Sequence, residues 1–211
     1  MIRSVQTSDE QIILDLLKLH SKVGYIHLDP TYSKGVFYKN IQSPIIKSDL
    51  SPIDETVFKS DFTDLSFIDD GTIDSIVFDP PFVISGKTYK NNVEGSSRIA
   101  KRFTGYYSWT DIKESYDKAL SEMYRIMSND AVLLFKCQDT VSSGKNHFTH
   151  VYVMNSAVSR GFYAKDLVIK ESKSKMTSFG GRWKTQRHVL KYHSYWWCFV
   201  KTKNRVSYEG T

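Results

Sequence analysis

Ile73-Asp74-Ser75-Ile76-Val77-Phe78-Asp79-Pro80-Pro81-Phe82 is a short apolar run that ends abruptly in Asp-Pro-Pro-Phe. Ile73, Ile76, Val77 and Phe78 form the compact β-prone run of a strand buried on both faces. Pro80 forces Asp79 out of the helical region, and Pro81 does the same to Pro80. The backbone after Asp79 is therefore extended, rigid and unable to donate hydrogen bonds there. A carboxylate, a free carbonyl and an aromatic ring are held together at one strand end. Such a set can receive a planar amine: Asp79 and the Pro80 carbonyl accept its N–H groups while Phe82 stacks on the ring. Taken alone, the stretch reads equally well as a strand stopped by a Pro-Pro turn, so its neighbours have to decide.

Upstream, Ser8-Asp9-Glu10-Gln11 starts a helix whose apolar positions are Ile12, Ile13, Leu16, Leu17 and Leu19-His20. Tyr25 to Leu28 reads as a strand ending at Asp29-Pro30-Thr31-Tyr32-Ser33-Lys34-Gly35, and Ile45 to Asp49 as a second. Asp61-Phe62 sits in the following connection. Acids thus recur at strand ends, or just after them, before Asp79.

Downstream, Ser108 to Asp111 caps a helix with Ile112, Tyr116, Ala119, Leu120, Met123 and Ile126-Met127 on its apolar face, broken by Ser128-Asn129-Asp130. Ala131 to Lys136 is a buried strand. A helix from Phe148 to Ser159 follows, with Val151, Met154, Ala157 and Val158 on one side and Arg160-Gly161 at its stop. Strands near Lys165 to Glu171 and Tyr192 to Thr202 complete the chain. Alternating strands and helices predict an α/β fold with a mostly parallel sheet and right-handed crossovers. No repeat, linker or second domain is visible over residues 1–211.

The 211 residues are 40% hydrophobic and 14% aromatic, as expected of a globular chain with a real core. A net charge of +6 favours an anionic partner. Cys137 and Cys198 lie in apolar runs without metal-ligand spacing, which fits a reducing cytoplasm rather than a disulfide framework. No run reaches membrane-spanning length and no signal peptide is seen, so a soluble intracellular protein is expected. His147 and His150 would share a helix face, but without a Cys or carboxylate at ligand spacing no metal site is assigned.

In open α/β sheets ligands bind beyond the carboxyl ends of the strands, which is where these acids fall. Asp29-Pro30-Thr31-Tyr32-Ser33-Lys34-Gly35, Asp49, Asp61-Phe62 and Asp79-Pro80-Pro81-Phe82, in that order, resemble the successive motifs of class I S-adenosylmethionine-dependent methyltransferases. The last motif resembles that of the amino-methyltransferases, which modify adenine N6 or cytosine N4 in DNA. Lys136-Cys137-Gln138-Asp139 and His193-Ser194-Tyr195 are further similar to small bacterial and phage DNA methylases.

The resemblance implies a Rossmann-like methyltransferase fold, with helices on both faces and an antiparallel final strand. It implies that Asp29, Pro30, Thr31, Ser33 and Gly35 shape the methionine end of an S-adenosylmethionine site. Asp49 would then hold the ribose, Asp61 and Phe62 the adenine, and Asp79, Pro80, Pro81 and Phe82 the target amine. The family's first motif usually carries small, mostly glycine positions, of which this chain keeps Gly35 and puts Ser33 in an earlier slot.

Two basic segments would deliver nucleic acid. Residues 83–109 hold Lys87, Lys90, Arg98, Lys101 and Arg102 among Tyr89, Phe103, Tyr106, Tyr107 and Trp109. Residues 165–205 include Arg182, Lys184 and Arg187. The expectation is a single catalytic domain without a separate target-recognition domain, methylating an exocyclic amine of a DNA base, adenine N6 first. An RNA base, or an inactive nucleic-acid-binding partner of another methylase, are the alternatives. A partner specificity subunit, a role in restriction-modification and a place in a bacterial or phage-infected cytoplasm complete that expectation. Trp196 and Trp197 read as core and sheet surface, and Lys136 as either a substrate contact or a surface salt bridge.

Overall fold

The computed structural model describes residues 1–84, 106, 108–172 and 187–203. In chain order the elements are β1 (Val5–Gln6), α1 (Asp9–His20), β2 (Leu28–Asp29), a 3-10 turn (Val36–Tyr38), β3 (Ile46–Asp49), β4 (Phe58–Lys59) and β5 (Ile73–Phe78). After them come α2 (Trp109–Ile126), β6 (Met127–Cys137), β7 (Thr140–Ser142), β8 (Lys145–His147), α3 (Thr149–Ser159), β9 (Phe162–Glu171) and β10 (His193–Lys201). One sheet runs β1-β9-β10-β6-β5-β2-β3-β4, and β7 and β8 form a separate hairpin. Every neighbouring pair in the large sheet is parallel except those made by β10, which runs antiparallel to both β6 and β9. The fold is therefore α/β with a mostly parallel sheet, as expected.

The apolar runs of β5 and β6 are unbroken because both faces of the central strands are covered. Ile76, Phe78, Leu133, Phe135 and Phe199 face a core completed by α2 and α3. Val77, Val132, Leu134, Trp196 and Cys198 point the other way, against α1 and the turn residues Phe37 and Tyr38. Cys137 and Cys198 are both free and buried.

Helix starts follow their capping chemistry. Ser8 accepts from the Gln11 N–H, and Ser108 and Asp111 form a reciprocal capping box. In α1, Ile12, Ile13, Leu16 and Leu17 are buried, but Leu19 turns outward and His20 lies 3.2 Å from Asp166 on β9. The face of α3 also differs from expectation. Val151 is exposed, and the buried residues are Thr149, Val153, Ser156 and Ala157. Two of these carry hydroxyls, so apolarity alone pointed to the wrong stripe.

Strands differ more. The first expected strand shrinks to β2; before it, Ile26 and His27 still accept backbone bonds from Ile45 and Ile46, while the Ser75 hydroxyl donates to Tyr25 (2.6 Å) and accepts from the His27 N–H (2.9 Å). Ser128-Asn129-Asp130 is no loop. α2 passes straight into β6 at Met127, and the irregularity is absorbed by a register shift against Ile73 to Ser75 and a left-handed Asp130. β1, β4 and the β7-β8 hairpin were not expected. The hairpin turns on Ser143 and Gly144, both at positive φ, the conformation a two-residue hairpin turn needs. Strand and helix do not alternate throughout: only the 3-10 turn separates β2 from β3, and the described chain from β3 to β5 has no helix.

Arg125 closes that helix-free stretch onto α2. Its guanidinium donates to the Ile68 (2.9 Å) and Leu65 (3.0 Å) carbonyls and pairs with Asp70 (2.6 Å) and Glu122 (2.8 Å). Arg125→Ala should lower stability by roughly 2–3 kcal/mol, seen as a lower urea midpoint at an unchanged m-value.

Candidate active site

The chain leaves β2 outward to β3 and β4, then returns to the other side of β2 to lay down β5 and β6. The strand order therefore reverses between β2 and β5, and the carboxyl edge at such a reversal is where open α/β sheets bind ligands. Asp29 ends β2, Asp49 ends β3 and Asp79 follows β5.

Asp29 is buried. Its Oδ1 accepts from the Thr31 N–H (2.8 Å) and hydroxyl (3.1 Å), and its Oδ2 accepts from the Tyr38 hydroxyl. Burial pushes its pKa up to about 7, against the lowering pull of those donors. The Thr31 oxygen also accepts from the Asp79 N–H (2.9 Å), so one hydroxyl joins the two acids.

After the buried Pro30, the loop turns tightly. Ser33 adopts φ 50° and Gly35 φ 60°. Ser33 thus takes a left-handed conformation in a slot where the resembled motif has glycine. A Cβ on Gly35 would lie 2.5 Å from the Tyr32 hydroxyl, so the close approach as well as the backbone requires glycine. Tyr32 stacks flat on Tyr38 at 5.5 Å.

Asp49 accepts from the Ser33 N–H (2.9 Å) and the Ser51 N–H (2.8 Å) and stays half-exposed. Each carboxylate oxygen keeps a lone pair for a further donor. The Ser60 N–H donates to the Asp49 carbonyl (3.1 Å), which brings Asp61-Phe62 alongside. Asp61 is exposed and caps Thr63, and Phe62 lies edge-on to Phe78 at 5.1 Å. The donor and acceptor chemistry of this row suits a nucleoside-bearing cofactor: hydroxyl acceptors at Asp49, an amine acceptor at Asp61 and an apolar ring at Phe62.

Asp79 has its side chain 25% exposed, with Oδ2 lying 3.5 Å from Lys136 Nζ. Its Oδ1 is shielded from water and has no hydrogen-bond partner among the described residues. Burial raises its pKa and Lys136 opposes the rise. Pro80 is buried, and the Pro81 carbonyl accepts from the Tyr116 hydroxyl (2.9 Å), which pins the turn to α2. Phe82 stands half-exposed beside it.

Lys136 is neither a surface salt bridge nor a free cation. It is 12% exposed and lies 3.2 Å from Asp9 as well as beside Asp79. Nothing in the sequence linked Asp9, read as a helix start, to this site. A second group gathers at the edge of β6. His150 Nδ1 lies 2.7 Å from the buried Asp139, the Tyr195 hydroxyl donates to Asp139 (3.4 Å), and His193 lies 2.9 Å from Tyr195. The Lys136 to Asp139 and His193 to Tyr195 stretches, distant in sequence, therefore meet. His147 does not share α3 with His150; it ends β8 and stacks on Trp109 at 4.8 Å. Trp196 is fully buried core, as expected.

Lys87, Lys90, Arg98, Lys101, Arg102, Arg182 and Lys184 lie outside the described residues. Arg187 is described and exposed. Described residues of both basic segments sit at the carboxyl edge. Residue 84 bridges to Tyr106 directly after the Asp79 turn, and Ser172 and Tyr192 join β9 to β10 through a 2.7 Å bond.

A groove of about 780 Å³, lined by His27, Ile46, Phe58, Phe67 and Ile73 among others, lies at the opposite, amino end of the strands. It is largely apolar and holds none of the strand-end acids.

No family model and no curated protein matches the chain. Solved structures do. A putative hemolysin from Lactococcus lactis shares 15% identity over 90% of this chain and 84% of its own, with a TM-score of 0.53. A putative DNA modification methylase from Thermus thermophilus, complexed with S-adenosyl-L-methionine, shares 14% identity over 71% of this chain and 56% of its own, with a TM-score of 0.47. A putative S-adenosylmethionine-dependent methyltransferase from Listeria monocytogenes shares 10% identity over 90% and 97%, with a TM-score of 0.48. At such identities the likeness is one of fold. The chain spans just over half the length of the Thermus protein.

The buried Asp29 makes a testable demand. Its carboxyl holds a proton up to about pH 7 in the folded chain, against an ordinary value of 3.8 when unfolded. The folded state binds more protons in between, so stability falls as pH rises from about 4 to 7. Asp29→Asn should flatten that part of the pH dependence in urea unfolding.

Proposed function

We propose that this chain is an S-adenosylmethionine-dependent methyltransferase acting on an exocyclic amine of a DNA base, adenine N6 first. The observation that carries the reading is the water-shielded Oδ1 of Asp79 at the switch point of the sheet, which has no partner among the described residues. A buried acceptor without a donor costs about 1–3 kcal/mol, and a substrate N–H would relieve it. The order of acids at successive strand ends supports a cofactor at the adjoining carboxyl edge, held by Asp29 to Gly35, Asp49, Asp61 and Phe62. When bound, that cofactor supplies a methyl group on a sulfonium leaving group.

The chain's own residues do the rest. An aryl amine is a poor nucleophile because its lone pair is delocalised into the ring. Asp79 Oδ1 and the Pro80 carbonyl accept its two N–H groups and draw the nitrogen toward tetrahedral geometry, where the lone pair is available. Phe82 stacks on the base, which in duplex DNA must leave the helix. The nitrogen sheds its surplus proton along the hydrogen bond to Asp79. Asp79 acts as a shaped acceptor, not as a strong base on the starting amine.

The basic, aromatic composition of residues 83–109 and 165–205 supports a nucleic-acid substrate, as does the net charge of +6. Those segments, or a partner subunit, select the sequence. The buried free cysteines suit a reducing, cytoplasmic setting. An inactive binding partner has no need of an unpaired acceptor at Asp79.

The test is incubation with methyl-labelled S-adenosylmethionine and DNA, or RNA in a parallel arm, followed by digestion to nucleosides. Label in N6-methyldeoxyadenosine is expected, and N4-methyldeoxycytidine or a methylated ribonucleoside would redirect the substrate. No label in either nucleic acid, from folded protein that binds the cofactor, would overturn the reading. Asp79→Asn should lower transfer by about 100-fold or more while changing cofactor affinity little.

A further inference from the structure

Lys136 sits where a charge is costly. On β6 it alternates with Phe135 and Cys137, which point into the α2-α3 core, and so faces the α1 side above Val132 and Leu134. A lysine there is tolerated only if its charge is matched. The match is double: Nζ lies 3.2 Å from Asp9 Oδ1 and 3.5 Å from Asp79 Oδ2. It is also flanked by ring faces, 4.6 Å from Phe37 and 5.5 Å from Trp196.

Asp9 is itself anchored. The Trp196 indole N–H donates to it (2.9 Å), Lys170 Nζ lies 3.5 Å away, and its place in the first turn of α1 favours a carboxylate. The lysine head is thus held from several directions. One oxygen of Asp79 is engaged by a fixed cation while the other, Oδ1, has no partner among the described residues.

We propose that Lys136 is a positioning residue: it keeps Asp79 ionised and turned so that Oδ1 is reserved for the substrate amine, with Asp9, Lys170 and Trp196 holding Lys136 in turn. The proposal rests on the reading of Asp79 as the amine acceptor. Other groups also face Asp79. From the loop after β2 come Asp29, through Thr31, and the Tyr38 hydroxyl; from α1 comes Asp9; from α2, Tyr116; from β6, Cys137; and from β9, Lys170. Of these only Lys170 is a cation, and it sits behind Asp9. Among the described residues, Lys136 is therefore the main cation opposing the desolvation of Asp79. Asp9 acts on Asp79 with the opposite sign, by direct repulsion and by competing for the same lysine.

That opposition gives a test that simple loss of structure cannot imitate. Side-chain carboxyl NMR on the whole chain, with the Asp79 signal assigned by its loss in Asp79→Asn, follows the titration midpoint in each variant. Lys136→Met should raise the midpoint by about one pH unit or more, and Asp9→Asn, which keeps the bond to Trp196, should lower it. Lys136→Arg should restore it. The acid limb of kcat/KM should move in the same directions as the midpoints. An unmoved midpoint in Lys136→Met, or shifts of the same sign in Lys136→Met and Asp9→Asn, would overturn the proposal. If Lys136→Met fails to fold, Lys136→Gln is read in its place by the same criterion. Because the NMR titration needs no turnover, opposed shifts without any methyl transfer would defeat the proposed reaction and leave the role of Lys136 over Asp79 standing.

Discussion

One hydroxyl couples the two halves of this fold. Thr31 donates to Asp29 at the end of β2 and accepts from the backbone N–H of Asp79 at the end of β5, across the line where the strand order reverses. The outer strands β3 and β4 are laid down on one side of that line, and β6, β10 and β9 on the other. Both acids leave the sheet on the α1 side, where Tyr38 donates to Asp29 and Lys136 pairs with Asp79. Such a concentration of buried acids is expensive, and the molecule meets it with different means. Asp29 is matched by hydroxyl and amide donors, and Asp79 by an ion pair on one oxygen only.

How much of this could be read in the sequence follows from the range of each interaction. β5 and β6 were legible because burial on both faces writes an unbroken apolar run, and Pro80-Pro81 marks where β5 stops. The starts of α1 and α2 were legible because capping is local, decided by Ser8, Ser108 and Asp111. β1 and β4 were not, because two-residue edge strands carry too little pattern. The stripe of α3 was misread because Thr149 and Ser156 are buried with their hydroxyls. The site divides the same way. Asp29, Asp49 and Asp79 announce themselves as strand-end acids. Tyr38, Asp9 and the meeting of Asp139 with His150 and Tyr195 depend on how distant segments pack, which spacing along the chain does not record.

The two ends of the sheet differ in chemistry. The amino end offers a roomy apolar groove lined by Phe58 and Phe67 together with His27 and Lys59. The carboxyl end offers polar groups with unused acceptor capacity, and described residues of both basic segments lie there. Volume favours the first and specific recognition the second. A ligand that carries hydroxyls, an amine and a positive charge is recognised by acceptors, so the carboxyl end is the better match.

A crystal structure of the chain with S-adenosylmethionine tests the proposed site most directly. The ribose hydroxyls are expected on Asp49, the adenine beside Asp61 and Phe62, and the sulfonium methyl directed toward the open side of Asp79. Cofactor bound in the amino-end groove lined by Phe58 and Phe67, or at the carboxyl edge with its methyl turned away from Asp79, would contradict it.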